Sequence, residues 1–145
     1  MRTATKLLIA LIALVAIAAI FIVGFASMQH YRRLYPDRAF VQITGRALPA
    51  DVRVIAYNWT FKDNLVHASH YWLLTGSSVA LRQFTSGASL NESTEDARHA
   101  LPDTEELFGD PKTPDQVIVG YEGDSPRNNW YWIFAGESKA LYEHN

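Results

Sequence analysis

Twenty consecutive residues, Leu7 to Ala26, carry no charged, hydroxyl or amide side chain. At the 1.5 Å rise of an α-helix such a run covers ~30 Å, the thickness of a bilayer's hydrocarbon core. The run is therefore predicted to be a transmembrane helix, and the remainder of the chain must be read as a separate body. The rival is a cleavable signal peptide, for which Gly24 and Ala26 place small residues before a cut at Ser27. The apolar region of a signal peptide is shorter, roughly 7 to 15 residues, which favours an uncleaved anchor. The chain divides on this reading into an anchor (1–28), a basic juxtamembrane segment (29–38) and one folded domain (39–145).

Charge supports the division. Residues 1–46 hold six basic side chains against Asp37, a net of +5, whereas residues 47–145 hold seven basic against fourteen acidic, a net of -7. An acidic body lacks the Lys/Arg face that phosphate backbones require, so nucleic acid is not an expected partner. Arg32, Arg33 and Arg38 instead crowd the apolar run, where anionic headgroups attract each by ~1 kcal/mol. The lipid bilayer, through Leu7 to Ala26, is thus the first expected partner.

Orientation is less directly readable. Arg2 and Lys6 lie on one flank of the run and Arg32, Arg33 and Arg38 on the other, a count that leans towards a cytoplasmic domain. A short basic tail before a long apolar stretch is nevertheless the layout of a signal anchor, so export of the C-terminal domain to the periplasmic side is expected. The chain has no cysteine. Exported animal domains of this size commonly use disulfides, which points to a bacterial envelope.

The soluble part resembles itself. Tyr71-Trp72-Leu73-Leu74-Thr75-Gly76-Ser77-Ser78-Val79-Ala80-Leu81 returns as Tyr131-Trp132-Ile133-Phe134-Ala135-Gly136-Glu137-Ser138-Lys139-Ala140-Leu141, with six of eleven positions identical. Upstream, Pro49, Val52 and Val54 correspond to Pro114, Val117 and Val119. Each copy reads as strand, turn, strand and helical turn: strands over Val52–Phe61 and Val66–Leu74, then over Gln116–Glu122 and Asn129–Ala135. Ser78 and Ser138 are positioned to cap helical turns carrying Ala80-Leu81 and Ala140-Leu141. Phe40 to Arg46 reads as an additional strand.

The expected fold class is α+β: an antiparallel sheet of four or five strands built from two tandem ββα repeats (about 49–85 and 114–145), with helices on one face. Between the copies, residues 86–115 carry eight acids against Arg98 and Lys112 and read as a solvated connector. Asp103-Thr104-Glu105-Glu106 has capping-box spacing and Gly109 is a stop, so a short helix is expected there.

Large rings concentrate on the predicted strands. Alternation along a strand would put Tyr71 and Tyr131 on one face and Trp72 and Trp132 on the other, with Trp59 and Trp130 nearby. If helices cover one face, the opposite face offers these rings to a partner; the alternative is that the connector covers it and all are core. Histidine chemistry is weaker. His67 and His70 are three apart, hence on opposite faces of a strand, so no metal site is expected. No Gly-x-Ser-x-Gly elbow, phosphate loop or dinucleotide fingerprint is present, so neither a catalytic residue nor a cofactor is assigned.

Two functions compete. One is a membrane-tethered, non-enzymatic binding module of the bacterial cell envelope, contacting an envelope protein through the aromatic strands. The other is a small envelope hydrolase using His67 or His70 with Asp63 or Asp124. Convergence of those side chains in one cleft would favour the second; complete burial of Tyr71, Trp72, Tyr131 and Trp132 would remove the aromatic-face form of the first.

Overall fold

The structure is a computed structural model and describes residues 2–62, 67–86, 88–123, 129–136 and 138–145. Its contacts separate into two compact units, Met1–Leu34 and Tyr35–Asn145. The first is one helix, α1 (Arg2–Leu34), long and apolar enough to cross a membrane. Its apolar side chains are exposed, Ile20 at 71% and Phe21 at 74%, which in water would be strongly unfavourable. Arg32 and Arg33 occupy its last turn, where cations complement the helix dipole.

The second unit is α+β and holds a six-stranded antiparallel sheet. Helix α2 (Pro36–Thr44) precedes the hairpin of β1 (Arg53–Lys62) and β2 (His67–Thr75), and α3 (Ser78–Ser86) comes next. The short strand β3 (Leu90–Glu92), helices α4 (Thr94–Ala100) and α5 (Thr104–Phe108) and a 3-10 turn at Pro114–Gln116 make up the middle. The chain ends with β4 (Val117–Gly123), β5 (Trp130–Phe134) and β6 (Lys139–His144). Spatial order is β1-β2-β6-β5-β4-β3, so the last strand is inserted between the two hairpins.

Three expectations are corrected. Phe40 to Arg46 is not a strand: Pro36 starts helix α2 and Gly45, at φ 68°, ends it. Phe40 then lies fully buried under the sheet with its ring edge-on to that of Trp72, the centroids 5.2 Å apart. Ala140-Leu141 is not a helical turn but part of β6, paired with β2 on one side and β5 on the other. The tandem ββα pattern therefore breaks in the second copy, whereas the first has its helix, capped not by Ser78, which is its first residue, but by Ser77, whose hydroxyl accepts from the Ala80 N–H at 3.1 Å.

The third correction concerns coverage. Helices lie on both faces: α2 and α3 supply Phe40, Ala80, Leu81 and Phe84 to one core, and the 86–115 segment supplies Ala97, Leu101, Leu107 and Phe108 to the other. The acidic segment is thus a covering layer with an apolar underside. Its short helix forms as the sequence predicts: Asp103 accepts from the Glu106 N–H at 3.0 Å, and Gly109, at φ 67°, returns its N–H to the Glu105 carbonyl at 2.8 Å. Both Nε and Nη2 of Arg98 donate to the Val117 carbonyl, at 3.1 and 2.9 Å, tying α4 to β4.

Candidate functional site

Register decides where the predicted rings point. Trp72 faces Tyr142 across β2 and β6, and Tyr142 faces Tyr131 across β6 and β5, so Trp72 and Tyr131 share the face under α2 and α3. Tyr71 and Trp132 share the other face, under α4 and α5. Equivalent residues of the two copies therefore lie on opposite faces, contrary to the expectation that Tyr71 joins Tyr131 and Trp72 joins Trp132. Because side chains alternate with period two, a one-residue offset in register suffices to exchange faces.

The exchange has a geometric pattern. Strands β2 and β5 flank β6, both antiparallel to it, and a half-turn about β6 keeps their direction while swapping the faces. Each hairpin also has one irregularity opposite equivalent residues of its return strand: register shifts between Val54 and Ala56, opposite Leu74 and Leu73, and between Val117 and Val119, opposite Phe134 and Ile133. Val54 thus corresponds to Val117 and not to Val119, its match by sequence. These bulges leave Ile55 and Ile118 exposed at 48% and 44%.

All four rings of the Tyr-Trp pairs are buried, none more than 4% exposed. They are core, as in the alternative in which the connector covers the second face, and not a solvent-facing aromatic surface. In the second pair they fasten both layers: the Tyr131 hydroxyl donates to the Leu81 carbonyl at 3.0 Å, and Trp132 Nε1 to the Ala97 carbonyl at 2.6 Å. Burial holds the Tyr131 phenol protonated by pushing its pKa well above the usual phenolic value, with the Tyr121 hydroxyl adding to the shift. Trp130 is half-buried and stacks on Trp132 at 6.0 Å.

Trp59 differs. It is half-buried near the end of β1, its ring 4.8 Å from that of Phe61 and edge-on to it, and Phe61 is 45% exposed. Trp59 is the cross-strand neighbour of His70, which in turn faces His144 on β6. The Tyr57 hydroxyl and His70 Nδ1 are hydrogen-bonded at 2.8 Å, and the two rings are nearly parallel. Half-buried Trp59, His70 and His144 and exposed Phe61 form a rim of rings beyond the buried Tyr57, Trp72 and Tyr142. Phe61 and His144 belong to it although only Trp59 stands out as a binding residue in the sequence; the signal for the other two is alternation along β1 and β6.

The other predicted residues are dispersed. Arg33 and Arg38 are exposed, Arg32 is half-exposed, and the Arg38 guanidinium lies 5.1 Å from the centre of the Tyr35 ring. His67 is exposed and falls on the opposite face of β2 from His70. Asp63 and Asp124, the acids paired with these histidines in the hydrolase reading, lie outside the described residues. Among the described residues no group of three His, Asp or Glu side chains is arranged to hold a metal ion. The chain matches no protein-family model, no curated protein and no solved structure.

Proposed function

We propose that this chain is a membrane-tethered, non-enzymatic interaction module of the bacterial cell envelope, with α1 as an uncleaved signal anchor and the α+β domain on the periplasmic side. The observation that carries the reading is α1 itself: a helix with a twenty-residue uncharged apolar run whose side chains are exposed along its length. Such a surface is stable only in an apolar solvent. Arg32, Arg33 and Arg38 would then sit at the headgroups, each contributing ~1 kcal/mol on an anionic leaflet. We also read the two hairpins as copies of one unit that diverged where the first continues into α3 and the second into β6.

The partner contact on this reading is the rim of Trp59, Phe61, His70 and His144. Exposed and half-buried rings with polar edges are the composition of interface centres, and the partner expected is an envelope protein presenting an apolar side chain to the Trp59–Phe61 pair. A photo-reactive phenylalanine analogue in place of Phe61, in the full chain in its native membrane, should crosslink one discrete protein. The same analogue at Arg82, exposed on α3, should not. An excess of the unlabelled chain should compete the adduct away, whereas the same excess carrying Phe61→Glu should not, its melting temperature being unchanged. Equal labelling from both positions would overturn the assignment of the rim. For orientation, a reporter active only in the cytoplasm, fused after Asn145, should be silent; activity would place the domain on the other side.

A further inference from the structure

Arg46 lies just beyond the left-handed Gly45 that ends α2, and its guanidinium is placed against the first-face core. Nη2 donates to the Ala88 carbonyl at 3.2 Å, while Nη1 is buried with no hydrogen-bond partner. Its positive charge also works against the upward push that burial exerts on the Tyr142 phenol. A buried guanidinium nitrogen without an acceptor is a costly arrangement, since a charged donor loses its water and gains nothing in return.

Arg46 also lines a cavity of about 360 Å³ together with Ala47, Pro49, Gln83, Phe84 and Ser86. None of these lining residues is acidic. Of the two acids nearest in sequence, Asp37 is engaged elsewhere, its Oδ1 accepting from the Val54 N–H at 3.2 Å, and Asp51 is exposed in the turn before β1. The Ser86 hydroxyl donates to the Gln83 carbonyl at 2.8 Å, which satisfies an acceptor in the last turn of α3 that would otherwise repel an anion. The Gln83 side chain is exposed and its amide can donate.

We propose that this cavity is an oxyanion site, in which a phosphate group is held by the Arg46 guanidinium with the Gln83 amide as a neutral second donor. The planar fork of arginine matches two oxygens of a phosphate, and a rotation of the guanidinium towards the cavity would give Nη1, enclosed in this structure, the acceptor it lacks. Phosphate chemistry could arrive as a free ion or as a lipid headgroup, so the test has two arms. The site does not depend on the rim around Trp59 and stands or falls separately.

In the first arm, the full chain in a neutral detergent is melted with and without excess inorganic phosphate at constant ionic strength. Phosphate should raise the melting temperature by ~5 °C if it binds the native state alone. In the second, the chain is placed in nanodiscs of phosphatidylcholine with or without phosphatidic acid, and the same rise is sought. Both are repeated with Arg46→Gln and Arg46→Lys. A rise in the first arm assigns a free anion, and one confined to the second assigns a headgroup, provided that it disappears in Arg46→Gln. Arg46→Lys should retain less than half of the shift, because an ammonium keeps the charge without the fork. If Arg46→Gln does not fold, Arg46→Lys alone decides by that loss. No rise in either arm, or an equal rise in the variants, overturns the proposal.

Discussion

Gly120 shows how closely one residue can constrain this domain. A Cβ built there would overlap the Cβ of Ala97 and lie 3.4 Å from the Cα of Thr94, so α4 rests directly on the backbone of β4. Gly120→Ala should force the helix away and destabilise the domain by ~1–3 kcal/mol, read from urea denaturation of the full chain. The tryptophans allow a sharper comparison. Trp132 and Trp72 are both fully buried, but only Trp132 has its Nε1 paired, with the Ala97 carbonyl, whereas Trp72 Nε1 has no hydrogen-bond partner. Trp132→Phe should therefore cost ~1 kcal/mol more than Trp72→Phe, the worth of one hydrogen bond, and similar losses would refute that role for the Nε1–Ala97 bond.

At the scale of elements, the 86–115 segment is where sequence and structure part most instructively. Its eight acids describe the solvent side, and Asp103, Glu106 and Gly109 are legible as a helix start and stop because capping is local chemistry. Asp103→Ala should loosen α5 and cost ~1 kcal/mol by thermal unfolding. Its underside is not legible, because Ala97, Leu101, Leu107 and Phe108 are too few and too irregularly spaced to declare a buried face without the sheet beneath them. The segment is also held by charge. The Lys139 ammonium, 3.1 Å from Asp110, holds that carboxyl below its usual range by hydrogen bonding; burial opposes this, and the charges of Lys112 and Lys139 add to the lowering. A carboxyl whose folded pKa is lowered adds stability at pH values above its unfolded pKa and loses it as pH falls through the folded value. Stability should thus decline below about pH 4, and Lys139→Met should flatten part of that decline; the pair is partly exposed, so added salt should weaken the effect.

For the whole molecule, the decisive quantity is the solvent that α1 requires. Ile17→Lys places a charge in the middle of the uncharged run, at ~2.5–3.5 kcal/mol by insertion scales, and should move a measurable fraction of the chain into the carbonate-soluble pool. Retention equal to that of the native chain would mean that something other than α1 holds the protein at the membrane. Length, absence of charge and strand periodicity are properties of consecutive residues, so the apolar helix and the spans of β1, β2, β4 and β5 can be read directly from the sequence. Phe40 and Leu141 cannot be placed that way: each occurs in a stretch compatible with either helix or strand, and its state comes from packing against Trp72 or pairing within the sheet. The same holds for Tyr71, Trp72, Tyr131 and Trp132. Their alternation is determined by the sequence, but insertion of β6 between the hairpins sets the register, and register decides which face each ring occupies, since a shift of one residue reverses them all.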